Sequence, residues 1–189
     1  DHTTPPDFST HALSVVNDGA RSVGLVSYNA DGASIITALD EAGWSGQIYG
    51  TDGIAEEGIA EDMDTNSLLD GIIATKPAAA TNNTVMATFD ALCAASACAG
   101  GIFTAEAFDA VTIMAFSAFT FLTTPGITAT QAVAATGVGW TGASGSITFL
   151  SNGDTPGSGY CIGSYTVSSD DVVDFVCTQH WGADGITDL

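Results

Sequence analysis

The chain has 189 residues, of which 22 are acidic and only two, Arg21 and Lys76, are basic, so its formal net charge is −20. Clusters of Lys and Arg are what neutralise phosphate groups, so this balance excludes nucleic acids and anionic membrane surfaces as partners. Hydrophobic residues make up 46% of the sequence, which is enough apolar material for one domain or two small lobes. No uninterrupted run of about 18 apolar residues occurs, so the sequence predicts no membrane span.

The acidic excess has two interpretations. One is a surface that attracts cations, and the other is a surface adapted to salty water, where screening weakens the repulsion between like charges. The acidic residues are scattered along the chain and not grouped in blocks, which favours the second interpretation and a salty or marine environment.

The first 77 residues alternate between helical and strand patterns. The helices are expected over 8–18 (capped by Asp7), 31–42 and 54–63, and the strands over 22–27, 46–50 and 71–75. Strands separated by helices of this length imply right-handed crossovers, and therefore a parallel sheet.

From residue 78 to 137 the pattern is helical. Helices are expected over 84–94, from Thr104 to a point before Pro125, and over 128–135. An apolar stripe on the second of these predicts a face buried in the core; it consists of Phe108, Val111, Met114, Ala115, Ala118 and Phe119. The last 50 residues are expected to form strands and Gly-rich turns, including a strand over 146–150.

Cys161 and Cys177 lie on two further predicted strands, 159–167 and 172–177, which a polar turn connects. A hairpin centred on Ser169 places the two cysteines opposite each other, at a Cα separation of about 4.5 Å that a disulfide can bridge. A metal site formed with His180 is the alternative, although it lacks a convincing fourth ligand.

Three other features bear on location. A disulfide between Cys93 and Cys98 is expected only if the helix ends between them, and Asn82 begins an N-glycosylation sequon. The sequence begins at Asp1 without Met or a signal sequence, as in a mature secreted protein or a piece of a larger one. Disulfides would indicate an oxidising, extracytoplasmic location.

Polar residues follow the first two predicted strands of the sheet, where open parallel sheets bind ligands. These residues are Ser27, Tyr28 and Asn29 after the first strand, and Thr51 and Asp52 after the second. Asp52 offers a carboxylate to an ammonium group, and Tyr28 offers a ring and a hydroxyl. The alternative for Asp52 and its neighbour Gly53 is an ordinary turn between a strand and a helix.

Catalytic motifs are not evident, and the sequence predicts neither an enzyme nor a cofactor or metal site. Gly137–Gly142 fits G-x-G-x-x-G, but a helical stretch precedes it and a strand follows, the reverse of a dinucleotide site. The sequence contains neither G-x-S-x-G nor H-E-x-x-H, and its three histidines lie near the chain ends without an adjacent nucleophile.

Three segments of the sequence resemble a known protein family. The stretch from Phe8 to Gly53, which includes SVGLVSYNADGASIITALDEAGWSGQIYGTDG, resembles the type I periplasmic solute-binding proteins of branched-chain amino acid transporters. FTAEAFDAVTIMAFSAF is similar to the aromatic-Asp-Ala helix of that family, and GVGWTGASGSITFLSNGD to its closing segment. The resemblance implies an α/β fold of the Venus-flytrap type, with a parallel sheet, flanking helices and a closing C-terminal β-hairpin.

The resemblance also assigns the site. Asp52 matches the acidic residue that pairs with the α-amino group of the ligand, and Tyr28, or its neighbour Asn29, matches an aromatic ligand contact. Ser27 and Thr51 complete the expected ligand-binding set. A full member of the family has about twice this length, and its N-terminal half binds the ligand carboxylate, so this chain is expected to hold half of a site.

In the family the chain crosses between the lobes three times. Residues 1–77 would then belong to the C-terminal lobe, 78–140 would form a helical segment of the N-terminal lobe, and 141–189 would supply a crossover strand and the C-terminal hairpin. The helices of the second segment would need a partner, either an upstream fragment or another chain.

The resemblance implies the extracytoplasmic component of an ABC-type importer, which binds an amino acid or similar small polar solute between two lobes and docks on a membrane permease. The alternative is an acidic cell-surface structural or sensory protein that keeps the fold without a transport function. This half of the sequence does not identify the solute.

Overall fold

The computed structural model describes residues 7–78, 84–98, 101, 103–155, 159–182 and 185–189. The chain divides into two compact units. The first unit comprises the residues up to Lys76 together with Cys161–Leu189, and the second comprises Pro77–Tyr160.

Helices and strands alternate at first, as the sequence pattern predicts. In chain order the elements are α1 (Ser9–Asn17), β1 (Ser22–Leu25), α2 (Asn29–Glu41), β2 (Gln47–Gly50), β3 (Ile73–Pro77), α3 (Thr84–Ala95), α4 (Thr104–Thr123), α5 (Ala129–Thr136), β4 (Trp140–Thr141), β5 (Ser146–Ile147), β6 (Tyr160–Val167), β7 (Val173–Gly182) and β8 (Gly185–Asp188).

The first unit is built on a mixed sheet with the strand order β1-β2-β3-β6-β7-β8. Strands β1, β2 and β3 pair in parallel, because each connection returns the chain to the end of the sheet at which the previous strand began. Strands β7 and β8 pair antiparallel, with His180 opposite Thr187. The core of this unit includes Leu25, Ile36, Leu39 and Ile48, all of which are buried.

Helix α1 begins beside Asp7, whose carboxylate accepts a hydrogen bond from the Ser9 N–H at 2.9 Å. This contact and the one from the Ser9 hydroxyl lower the pKa of Asp7, because both stabilise the ionised carboxylate. The Asp7 carboxylate thus bonds to the first residue of α1, although the residue at the N-cap position is Phe8 and not Asp7 as predicted.

The helix predicted over 54–63 is wrong. The chain instead makes three short 3₁₀ turns, Asp52–Ile54, Glu57–Asp62 and Asn66–Leu69. An α-helix through this segment would need the carbonyl oxygens of Ile54 and Glu56 as acceptors for its own N–H groups. The Ile54 oxygen accepts from the Tyr165 hydroxyl instead, and the Glu56 oxygen is shared between that hydroxyl and the Ile59 N–H of the 3₁₀ turn. A tertiary contact thus replaces the α-helical hydrogen bond at Ile54.

The second unit contains α3, α4, α5 and the short β4–β5 ladder, in which Trp140 pairs with Ile147. Strand β5 ends at Ile147, earlier than the strand predicted over 146–150. Helix α5 begins with a capping box in which Thr128 and Gln131 satisfy each other's backbone N–H groups.

Helix α4 buries a different face from the predicted one. In the expected apolar stripe Val111, Met114 and Phe119 are each at least 60% exposed. The buried positions are Ala105, Asp109, Ile113 and Ser117, which lie four residues apart on one face. Among the residues that the structure describes, the second unit thus covers the face of α4 that carries these four side chains. The face with the bulky apolar side chains is exposed to solvent.

Helix α4 is also long and apolar enough to cross a bilayer, with a mean hydropathy of 1.4. No membrane span was expected because the sequence has no uninterrupted run of about 18 apolar residues. The hydropathy average over α4 stays high even though the helix contains Glu106 and Asp109. Core helices of soluble proteins meet the same two criteria of length and composition.

Both disulfides are formed. Cys161 and Cys177 join β6 to β7 with Cα atoms 5.6 Å apart, somewhat wider than expected. Cys93 and Cys98 are joined with Cα atoms 5.0 Å apart, and α3 ends at Ala95, between them, as this bond requires. Because Cys161 and Cys177 are joined in a disulfide, the alternative metal site that they would form with His180 is wrong.

Candidate functional site

A cavity of about 260 Å³ lies at the carboxyl ends of β1 and β2, within the first unit. It is lined by Val26, Ser27, Tyr28, Asp31, Thr51, Asp52 and Gly53. A backbone hydrogen bond links the two strand ends, since the Thr51 N–H donates to the Leu25 carbonyl oxygen at 3.2 Å. This is the edge at which open parallel sheets bind ligands.

Gly53 allows the two loops that form the cavity to touch. A Cβ atom at this position would collide with the Ser27 carbonyl oxygen and lie 3.1 Å from Cδ1 of the Tyr28 ring. Any larger residue would push the β1–α2 loop away from the loop after β2. The close approach therefore keeps the Tyr28 ring beside the Asp52–Gly53 backbone.

Asp52 presents a carboxylate that is partly exposed. Its backbone carbonyl accepts from the Ala55 N–H at 3.1 Å, which fixes the turn. Within the part of the chain that the structure describes, no group donates a hydrogen bond to the Asp52 side chain. The carboxylate is thus available to a positively charged group in the cavity.

Tyr28 stands at the mouth of the cavity and is 81% exposed. The backbone at Tyr28 is extended and directly precedes α2, so the side chain projects from the point where the strand gives way to the helix. Its ring face offers cation–π contact to an ammonium group that pairs with Asp52.

Asn29 does not line the cavity. Its Nδ2 atom lies 3.2 Å from the point where a Cβ atom at Gly58 would be, and its buried Oδ1 atom has no hydrogen-bond partner. The structure therefore brings Ser27, Tyr28, Thr51 and Asp52 together and turns the fifth predicted residue towards the Glu57–Asp62 turn.

Asp31 is a lining residue that the sequence analysis did not single out. It lies in the first turn of α2, where an acidic residue is usually understood as favourable to the helix dipole. Its spacing of three residues from Tyr28 on a helix start was the available signal. With Asp31 and Asp52 together, and no basic side chain among the lining residues, the electrostatic potential of the cavity favours cations.

The turn after Asp52 is held by Tyr165, which is 1% exposed. The Tyr165 hydroxyl donates to the carbonyl oxygens of Ile54 and, at 2.8 Å, of Glu56. Burial raises the pKa of Tyr165, because the charged phenolate would lose its hydration. Local sequence patterns could not have indicated this contact, since Tyr165 is supplied by the distant strand β6.

One of the two basic residues, Lys76 at the end of β3, has its Nζ atom 4.9 Å from the centre of the Phe175 ring and does not line the cavity. Asn82, the expected glycosylation site, lies outside the described residues. The described residues contain no group of three His, Cys, Asp or Glu side chains that could hold a metal ion.

No protein-family model matches the sequence, and no curated protein matches it. Solved structures do match the fold. The leucine-binding protein LivK from Thermotoga maritima is 18% identical with a TM-score of 0.70, and the match covers 90% of this chain and 48% of that one.

Two further structures agree with that match. A type 1 periplasmic binding protein from Bordetella pertussis is 15% identical with a TM-score of 0.72, and the match covers 94% of this chain and 51% of that one. A leucine-, isoleucine-, valine-, threonine- and alanine-binding protein from Brucella ovis is 12% identical with a TM-score of 0.71, covering 99% and 50% respectively.

The chain thus spans about half the length of these three structures. Identities this low establish the fold alone. The chain has the α/β fold of the type I periplasmic binding proteins, a mixed sheet whose parallel strands are flanked by helices.

Proposed function

We propose that this chain is part of an extracytoplasmic solute-binding protein of an ABC-type importer, which binds an amino acid or a similar amine-bearing solute between two lobes. The observation that carries the proposal is the cavity at the carboxyl ends of β1 and β2, where Asp52, Tyr28, Ser27 and Thr51 meet. The two disulfides support an oxidising, extracytoplasmic location.

The chemistry of the cavity favours an amine. The Asp52 carboxylate would pair with the ammonium group, the Tyr28 ring would lie against it, and the hydroxyls of Ser27 and Thr51 would supply polar contacts. One solute-binding protein with this fold, from R. palustris, is described in complex with benzoate, which has no amine. An anion of that kind would meet Asp31 and Asp52 here, so electrostatic repulsion disfavours it.

The lining residues offer no basic group for the carboxylate of an amino acid. We propose that this part of the ligand is bound by a second lobe, formed by an N-terminal segment or by another chain. In this arrangement residues 1–77 and the C-terminal hairpin belong to the C-terminal lobe, and the helices of 78–140 belong to the other lobe, whose sheet would cover the exposed face of α4. The closed receptor would deliver its solute to a membrane permease, in salty surroundings that suit its acidic surface.

An Asp52→Asn substitution in the full-length protein tests the proposal, because it removes the charge and keeps the shape. Calorimetric titration with each of the twenty L-amino acids first identifies those that bind. For these we expect Asp52→Asn to weaken binding by about 2–3 kcal/mol, as for the loss of a hydrogen bond between charged groups.

Asp18→Asn is the matched control, because Asp18 is exposed at the end of α1 and outside the cavity. It removes the same charge from the same unit and should leave the affinity unchanged. Equal affinities for the Asp52→Asn and wild-type proteins would refute the role of Asp52.

The second candidate function is an acidic cell-surface structural or sensory protein that keeps the fold without transport. The exposed apolar face of α4 favours it, since such a face fits an assembly contact as well as a second lobe. If the full-length wild-type protein binds none of the amino acids, this candidate replaces the first.

A further inference from the structure

We infer that Tyr165 is a positioning residue for the ligand contact at Asp52; this inference rests on the proposed function. Tyr165 lies on β6, far from Asp52 along the chain, and does not line the cavity. Its hydroxyl reaches the turn that follows Asp52 from the interior of the first unit, so it acts on the ligand through the backbone.

The geometry of this contact is specific. Tyr165 has a single O–H proton, which it shares between the carbonyl oxygens of Ile54 and Glu56. The residues between Asp52 and Glu56 make their own tight turn, with the Ile54 N–H donating to the Thr51 oxygen at 3.1 Å. The path of the backbone at Asp52 therefore depends on where Ile54 and Glu56 are held.

Water cannot replace the tyrosine hydroxyl at the deepest point of this turn. Ile54 and Ala55 are 0% exposed, and the Ile54 oxygen meets the hydroxyl in the buried interior. A buried carbonyl oxygen that loses its donor is costly, and the turn would shift to regain a partner. Such a shift would move the Asp52 carboxylate, which this turn carries.

The β6–β7 hairpin gives the tyrosine a rigid support. The Cys161–Cys177 disulfide joins the two strands, and the Tyr165 ring packs edge-on against Phe175 with centroids 5.1 Å apart. The Phe175 N–H donates to Glu57 Oε1 at 3.3 Å, which is a second link from the hairpin to the same turn. The hairpin thus holds the segment after Asp52 at two points.

A Tyr165→Phe substitution in the full-length protein tests the inference, because it keeps the ring and removes only the hydroxyl. Hydrogen exchange measures the backbone directly. We expect the amides of Ile54 and Ala55 to exchange about ten-fold faster, as the loss of one buried hydrogen bond implies, while the β1–β2 amides keep their wild-type rates. Glu57→Ala, which removes the second link, should accelerate exchange in the same turn.

L-leucine and its deamino analogue 4-methylpentanoate serve as the binding probes; the analogue is titrated to higher concentrations, because repulsion from Asp31 and Asp52 weakens its binding. If the hydroxyl positions Asp52, Tyr165→Phe should weaken L-leucine binding by about ten-fold and change 4-methylpentanoate binding little, because only the amine contacts Asp52. Tyr49→Phe is the matched control, since Tyr49 is half exposed on β2 and its hydroxyl is not the donor to the Ile54 and Glu56 oxygens.

Two outcomes would overturn the inference. One is wild-type exchange at Ile54 and Ala55 in Tyr165→Phe, and the other is a uniform acceleration across the first unit, which would show a merely structural role. If the wild-type protein does not bind L-leucine, that result counts against the proposed function for this amino acid and not against the role of Tyr165. The exchange rates still decide whether Tyr165 holds the turn.

Discussion

Two aspartates illustrate how the same side chain takes opposite roles in this chain. Asp109 is 1% exposed, and its carboxylate accepts from the backbone N–H groups of Ala143 and Ser144, both at 2.7 Å, and from the Ser144 hydroxyl at 2.6 Å. Asp52 is partly exposed, and its carboxylate receives no hydrogen bond from the described residues. The carboxylate that the protein satisfies is structural, and the one that it leaves open is suited to a ligand.

Asp109 also determines the residue that faces it. A Cβ atom at Gly142 would collide with the Asp109 carboxylate, so the glycine that completes the G-x-G-x-x-G pattern serves a close packing contact within the second unit. The position of the motif, after a helix and before β5, already indicated that it is not a nucleotide site. The structure supplies the physical reason for its last glycine.

An Asp109→Asn substitution should destabilise the second unit by about 3 kcal/mol. The amide that replaces one carboxylate oxygen would point its N–H groups at the Ser144 N–H and leave buried donors unpaired. Urea unfolding followed by Trp140 fluorescence, in a background with Trp44 and Trp181 replaced by Phe, would report this unit. Asp90→Asn, on the exposed side of α3, is the control; a loss of stability as large as for Asp109→Asn would contradict the argument.

At the scale of elements, the sequence predicted those parts of the fold that depend on local spacing. The positions of α1, α2 and the first three strands follow from apolar periodicity, and the Cys161–Cys177 pairing follows from the spacing of the two strands that carry it. The helix over 54–63 failed because the Tyr165 hydroxyl binds the Ile54 carbonyl oxygen that a helix would need and shares that of Glu56. The prediction of the buried face of α4 was wrong, because its bulky apolar residues indicated a core contact that the described residues do not provide.

The residues of the candidate site also fall into those that local spacing could place and those that it could not. Asp52, Tyr28, Ser27 and Thr51 could be predicted, since the ends of parallel strands meet at one edge of a sheet. The direction of the Asn29 side chain could not be predicted, because it turns towards Gly58, on a segment whose 3₁₀ path the sequence did not indicate. Long-range contacts thus decide both the failed helix and the direction of this side chain.

The two disulfides should differ in how much they stabilise the chain. In the loop-closure description, a bond across a separation of 16 residues is worth about 3 kcal/mol, and one across 5 residues about 2 kcal/mol. We therefore expect Cys161→Ser with Cys177→Ser to lower the free energy of unfolding by more than Cys93→Ser with Cys98→Ser. Denaturant unfolding of the two double variants compares them directly, and the reverse order would contradict the expectation.

On the scale of the whole molecule, the fold is maintained at 12–18% identity to the solved structures described above, while the surface carries an extreme charge. With 22 acidic residues and only two basic ones, most carboxylates have no Lys or Arg with which to pair. Mutual repulsion of this kind destabilises the compact state and is weakened by dissolved ions. Stability should therefore depend on salt more steeply than in a protein with balanced charge.

Raising NaCl from about 0.01 M to about 1 M shortens the Debye length from about 30 Å to about 3 Å, which removes most of the long-range repulsion. We expect the thermal midpoint of the full-length protein to rise over this range; a gain of 1–2 kcal/mol is worth about 2–8 °C in a protein of 150–250 residues and less in a longer one. A variant with Asp18→Asn, Asp40→Asn, Glu61→Gln and Asp90→Asn, all at exposed positions, removes four charges without touching the candidate site. Its midpoint should be higher at low salt and rise less with NaCl. A variant whose midpoint rises as steeply as that of the wild type would show that salt acts through hydration, and that the repulsion among surface carboxylates contributes little to stability.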